Sequence, residues 1–200
     1  MDYVYEIENA LPKEICEIII ERYKKDPKKE QSKVGVDGLI KENVRKSTVL
    51  PLSNNHEWRD VDNIIHDVIN RSIKKYMKYI TEIFRNTGLV DIKCIDNQII
   101  ENFGKMEDEG YFIQEYKQDD FYNWHVDRNK GFKLGRVLSF VLYLNTLNEN
   151  QGGCTEFING KKVRPVQGKM VVFPSDWQYY HRGAPVENGG IKYTIGTWTA

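Results

Sequence analysis

RVLSFVLYLN, residues 136–145, decides how this chain is read. Eight of its ten positions are apolar or serine, with a β-branched residue at two of them and an aromatic at two. A run this short, apolar on both alternating faces, suits a strand buried on both sides of a sheet. Shorter alternating runs surround it: FIQEY (112–116), YNWHVD (122–127), CTEFI (154–158), KVRPV (162–166), KMVVF (169–173), WQYYHRGA (177–184) and IKYTIGTWT (191–199). Gly152-Gly153 and Gln167-Gly168 separate neighbours as turns. Roughly eight short strands within about 90 residues predict a sandwich or barrel whose strands pair across long sequence distances.

Residues 1–110 read differently, as mainly helical support with irregular links. Residues 3–7 alternate as a short strand. Pro12 then opens a helix with an apolar stripe of Ile15, Ile18, Ile19 and Tyr23. The charged stretch 24–33, which holds Pro27, reads as a solvated loop. The strongest helical period covers 58–84: Val61, Ile64, Ile65, Val68, Ile69, Ser72, Ile73, Tyr76, Met77, Ile80 and Phe84 recur at steps of three and four. Such a helix spans roughly 35–40 Å, with a break expected along it, and Gly88 can end it in the left-handed conformation. Its single apolar face needs a flat partner, and a sheet supplies one. His56 and His66 read as surface or capping residues. Residues 92–110 read as a short helix or an irregular lid.

Length and charge narrow the function. The chain has 200 residues, enough for one sizeable domain, and 29 basic residues balance 29 acidic ones. That balance argues against a general nucleic-acid coat or an anionic-membrane binder. No apolar run approaches the ~20 residues of a membrane span, and no signal peptide is evident at residues 1–10. Cys16, Cys94 and Cys154 are odd in number and far apart, neither a disulfide framework nor a zinc CxxC pair. The expectation is reduced thiols and a cytoplasmic setting, with oligomeric state unread.

The chemistry gathers at His125-Val126-Asp127. Residues i and i+2 of a strand share a face, so an imidazole and a carboxylate project together. His181, on a later strand, is the candidate third ligand. Two histidines and one carboxylate form the facial triad of non-haem Fe(II) oxygenases, which leaves coordination positions open for a bidentate co-substrate and dioxygen. An HxD tripeptide alone is a weak signal, and a surface hydrogen bond explains most of them. Lys192, eleven residues after His181, strengthens it, because a buried lysine near a metal can pair with the distal carboxylate of an organic acid.

Several segments, in order, resemble the 2-oxoglutarate- and Fe(II)-dependent oxygenases, and within them the prolyl 4-hydroxylase-like branch. FIQEYKQDDFYNWHVD looks like the tyrosine-bearing strand leading into the HxD. RVLSFVLYLN followed by NQGGCTEF looks like the apolar core strand and its Gly-Gly-x-Thr turn. VRPVQGKMVVFP resembles the strand pair ending in phenylalanine. HRGAPVENGGIKYTIGTW resembles the distal histidine, lysine and terminal tryptophan. The opening YEIENALPKEICEIII is a weaker match, and the interval from His181 to Lys192 is one residue longer than the family's usual spacing.

The resemblance implies a mainly β fold with α-helices: a double-stranded β-helix (jelly roll) with N-terminal helices packed on the major sheet. It implies one dioxygenase domain over 1–200, with its catalytic core in 111–200. His125, Asp127 and His181 would bind Fe(2+). Lys192 would hold the distal carboxylate of 2-oxoglutarate, helped by Tyr116, Tyr143 and Thr155; for both tyrosines plain core packing is the competing explanation. O2 is the second co-substrate and ascorbate the reductant. The implied reaction couples oxidative decarboxylation of 2-oxoglutarate to hydroxylation of a C–H bond, with a prolyl residue of a peptide or protein as the leading substrate. A free amino acid or other small molecule is the runner-up. A zinc hydrolase would leave Lys192 without a task, and a non-catalytic metal-binding jelly-roll module would not need the full ligand set. A nucleobase demethylase fits poorly with zero net charge and a lysine anchor. Specificity would lie in residues 104–109, 129–133 and 176–180, with Trp124, Trp177, Tyr179 and Tyr180 near an entrance.

Overall fold

The computed structural model describes residues 2–34, 38–88, 106–128 and 135–200. In chain order the elements are β1 (Tyr5–Ile7), α1 (Lys13–Lys25), β2 (Glu30–Gln31), β3 (Arg45–Lys46), β4 (Thr48–Pro51), α2 (Arg59–Thr87), β5 (Phe112–Tyr116), β6 (Phe121–His125), β7 (Leu138–Tyr143), β8 (Thr155–Phe157), β9 (Lys162–Val163), β10 (Met170–Pro174), β11 (His181–Gly183) and β12 (Lys192–Thr199). Seven strands make one sheet in the order β1-β10-β7-β12-β5-β4-β2, and five make the other in the order β3-β6-β11-β8-β9. The pairings within both sheets are antiparallel. Two helices and two such sheets agree with the jelly roll that the sequence implies.

β7 lies between β10 and β12, and its side chains divide by parity. Leu138, Phe140 and Leu142 join a cluster with Met170 and Val172 of β10, Tyr193 and Ile195 of β12, and Ile113 of β5. The buried residues of α1 and α2, among them Ile19, Tyr23, Val61, Ile65, Ile69 and Tyr76, belong to the same cluster. The opposite parity, Tyr143 with Val171 and Phe173, packs on Phe157 and Val163 of the five-stranded sheet. One face of the large sheet is thus shared with helices and the other with the small sheet, which is the alternation that period 2 imposes.

Three expectations change. The 29-residue α2 is continuous, since it contains no Gly or Pro to interrupt it, and it ends where Gly88 takes φ 65°. Residues 1–110 contribute three strands beyond the expected β1: β2 and β4 join β1 in the large sheet and β3 joins the small one. The two-residue β2 and β3 are too short to carry a period. The expected strand over 177–184 is a 3-10 turn at Trp177–Tyr179 and then only three strand residues, because Asp176 caps the turn by accepting from the Trp177 backbone N–H. Residues 92–105 of the expected lid, Cys94 and residues 129–133 lie outside the described residues.

Candidate active site

Cross-strand register brings the histidines together. β11 pairs with β6 so that His181 stands opposite His125, and their ring centroids lie 4.2 Å apart. Each imidazole uses Nδ1 on a nearby carbonyl: His125 on Asn123 at 2.7 Å and His181 on Tyr179 at 2.9 Å. With the proton on Nδ1, both Nε2 lone pairs are free to ligate. Both point at Asp127, with His125 Nε2 3.4 Å from Oδ1 and His181 Nε2 3.6 Å from Oδ2. One donor atom from each of the three residues lies within 4.8 Å of the others. Two imidazole nitrogens and one carboxylate oxygen are the donor set that non-haem Fe(II) takes.

Asp127 reaches this position differently from the sequence expectation. β6 ends at His125, so Asp127 lies past the strand, where the chain turns toward the other sheet and the Arg128 N–H donates to Ser175 O just after β10. Arg136 donates to the Asp127 carbonyl at 3.3 Å, and Ser139 hydrogen-bonds the carboxylate. Burial alone would raise the Asp127 carboxyl, but the charge that His181 and His125 carry when protonated, together with Ser139, outweighs it and holds Asp127 well below the carboxylate range. Burial pushes His181 down to about 4, against the pull of Asp127, which leaves it neutral at pH 7 as a ligand must be. The rings of Phe173 at 4.7 Å and Phe157 at 5.8 Å flank His181, and Tyr122 stacks on His125 at 3.6 Å.

The large sheet supplies the other wall. Lys192 opens β12 opposite Tyr116, is 3% exposed, and holds its Nζ 4.5 Å from the Tyr116 ring centroid. Nζ donates to Gly153 O at 2.9 Å. That approach needs the Gly152-Gly153 turn, with φ of 61° and 69°, because a Cβ at Gly153 would press on Leu147 and one at Gly152 on the Pro185 carbonyl. Burial lowers Lys192 to about 8, only partly offset by Cys154. His125, Asp127, His181, Lys192, Tyr116 and Thr155 all line one cavity between the sheets, open at its mouth. Tyr143 is wholly buried beside it and donates to Thr155 Oγ1 at 2.6 Å. Trp177 is 71% exposed and Tyr180 42%, whereas Tyr179 is buried.

The cavity also contains residues that the sequence reading missed. Gln114 and Thr194 are period-2 neighbours of Tyr116 and Lys192, so strand register would have found them, and the terminal tryptophan of the motif, Trp198, lines the cavity with them. Arg45 would not have been found, because β3 is only two residues long and lies far from the motif in sequence.

Residues 111–200 match the family model of the 2OG-Fe(II) oxygenase superfamily. A PKHD-type hydroxylase of Synechococcus sp. (strain CC9902) is 30% identical over 112 residues, 54% of this chain and 50% of the relative, so the chain spans about half the length of that curated relative. The viral collagen prolyl hydroxylase of Paramecium Bursaria Chlorella virus-1, solved with 2OG, superposes with TM-score 0.64 at 20% identity over 99% of this chain and 96% of that one. A Pseudomonas putida prolyl-4-hydroxylase gives 0.62 at 21% identity, covering 98% and 91%. A Trichoplax adhaerens prolyl hydroxylase, solved in complex with a hypoxia inducible factor oxygen degradation domain peptide fragment, gives 0.66 at 15% identity, covering 100% and 84%. These solved structures share the fold. The matched segment carries the whole His-Asp-His set together with Lys192, and this is the part of the chain that resembles the 2OG-Fe(II) oxygenase superfamily.

Proposed function

We propose that this chain is a single Fe(II)- and 2-oxoglutarate-dependent dioxygenase domain that hydroxylates a C–H bond, with a prolyl residue of a peptide or protein as its substrate. The observation that carries the reading is one cavity holding a three-donor metal set on the small sheet and a buried lysine on the large one. The resemblance to prolyl hydroxylases, one of them solved with a peptide, supports the substrate class.

His125, Asp127 and His181 would hold Fe(II), which supplies activation of O2 when bound. Lys192 would receive the C5 carboxylate of 2-oxoglutarate. A charge-assisted bond in so dry a place is stronger than at the surface, and releasing the Gly153 carbonyl is its local cost. Thr155, held by Tyr143, and the Tyr116 ring would shape the co-substrate pocket. The aromatic rings around His181 and His125 exclude bulk water from the reacting centre.

The test is a turnover assay with Fe(II) and 2-oxoglutarate against proline-containing peptides and free amino acids. It is read by succinate release and a product heavier by one oxygen atom. Hydroxylation of a peptidyl proline is the expected outcome. Oxidation of a free amino acid alone would move the assignment to a small-molecule hydroxylase. Absence of any 2-oxoglutarate consumption would overturn it in favour of a non-catalytic metal-binding module.

A further inference from the structure

We propose that Arg45 binds a carboxylate of the primary substrate, so that this site selects substrates carrying an acidic group close to the carbon that reacts. The proposal rests on the oxygenase reading above and adds the substrate's charge to it.

Arg45 lies on β3, opposite Tyr122 of β6, and is 7% exposed. Its guanidinium carbon sits 4.7 Å from the Tyr122 ring centroid, and that ring stacks on His125. Guanidinium, phenol and imidazole thus form one column that leads to the metal set. Nε donates to Ser47 Oγ at 3.2 Å, and Ser47 is engaged in turn with Ser32 at 2.7 Å. Nη2 is buried with no hydrogen-bond partner among the described residues. Arg22, Arg128, Arg136, Arg164 and Arg182 each pair with a carboxylate, and Arg59, Arg71 and Arg85 are exposed to solvent, whereas Arg45 is buried and pairs with no carboxylate among the described residues. A buried guanidinium without a counter-charge is costly, and a fold retains it where something else completes it.

The charges lining the cavity indicate what is missing. Its described charged residues are Arg45, Lys192 and Asp127, with the two histidines as neutral ligands. Fe(II) and doubly ionised 2-oxoglutarate cancel one another, and Lys192 cancels Asp127. One positive charge remains, on Arg45. A peptide carbonyl would meet its hydrogen bonds but not its charge. A carboxylate meets both, and the planar fork accepts it through two parallel bonds. That carboxylate can belong to a free amino acid, to a chain terminus or to an acidic residue beside the target.

The experiment uses protein loaded with Mn(II) and 2-oxoglutarate, titrated calorimetrically with three matched pairs. They are L-proline and L-prolinamide; acetyl-Ala-Ala-Pro as acid and as amide; and acetyl-Ala-Pro-Asp-amide and its Asn counterpart. The acidic member of at least one pair should bind about 10- to 100-fold more tightly than its neutral partner, and the pair that responds identifies the source. Arg45→Gln should abolish that preference while Mn(II) and 2-oxoglutarate still bind, and Arg45→Lys should keep part of it. Equal affinities within every pair of the wild-type protein would overturn the proposal. So would a preference that persists in Arg45→Gln. Should the Fe(II) form release no succinate with any probe while the calorimetric preference stands, the oxygenase reading fails and the carboxylate site survives.

Discussion

In the proposed function His125 and Asp127 hold the metal and Lys192 holds the co-substrate, and the two tasks are separable. His125→Ala or Asp127→Ala should weaken Fe(II) binding by more than the ~10- to 100-fold that outer-shell changes cost, seen in metal titrations, with succinate release lost. Asp127→Glu should also fail, because the longer carboxylate misplaces its oxygen by roughly an ångström in a site where geometry sets the open positions. Full activity in these variants would remove the metal assignment. Lys192→Ala should bind iron normally but need roughly 10²- to 10³-fold more 2-oxoglutarate, as expected when one partner of a buried charge pair is removed. An unchanged concentration dependence would show that the lysine does not anchor the co-substrate. The same residue gives a pH signature. Its ordinary value of 10.5 falls to about 8 in the fold through burial. Below about 8 the folded protein carries the buried charge at full cost; between about 8 and 10.5 the unfolded chain holds a proton that the folded one has lost, so stability rises with pH across that window. Binding of 2-oxoglutarate needs the ammonium and should weaken as pH passes about 8. Lys192→Met should lack the stability slope, and Lys192→Arg should shift the binding limb upward; flat wild-type profiles in both measurements would refute the argument.

Among the elements, α2 and the Gly152-Gly153 turn separate stability from chemistry. Ile65 is fully buried in the cluster shared by the helices and the large sheet. Ile65→Ala should cost about 2–5 kcal/mol, visible as a fall of several degrees in the thermal midpoint, with iron stoichiometry unchanged. Gly153→Ala combines φ of 69° with a Cβ pressed on Leu147. It should displace the carbonyl that Lys192 meets, so stability and 2-oxoglutarate affinity should fall together, while Fe(II) affinity holds. Loss of iron binding in either variant would show that the helix layer and the turn are not separable from the metal set.

For the molecule as a whole, the cavity bridges two sheets. The metal set lies on or just beyond β6 and β11, and the lysine sits on β12. A ligand that touches both sheets should resist their separation. Mn(II) with 2-oxoglutarate at about 100 times their dissociation constants should add about 2.7 kcal/mol of stability, roughly 5–10 °C in a chain of this size. Metal alone should give less, and a chelator should reverse the gain. Equal midpoints with and without both ligands would argue against a site shared between the sheets.

Much of this was legible in the residues themselves. The period of 136–145, the helical stripe of 58–84 and the order of HxD, distal histidine and lysine are local patterns, and local sterics decide them. Other features depend on which segments meet. Asp127 reaches the two histidines from beyond its strand, where the Arg128 N–H meets Ser175 just past β10 of the other sheet. Tyr143 meets Thr155 across the two sheets because β7 and β8 belong to different sheets. Arg45 enters the cavity only because a two-residue strand pairs with β6, and two residues carry no period. Sequence alone determined the ligand types and their order along the chain. Tertiary pairing decided which side chains share one dry cavity, because distance and burial are set by segments that sequence separates.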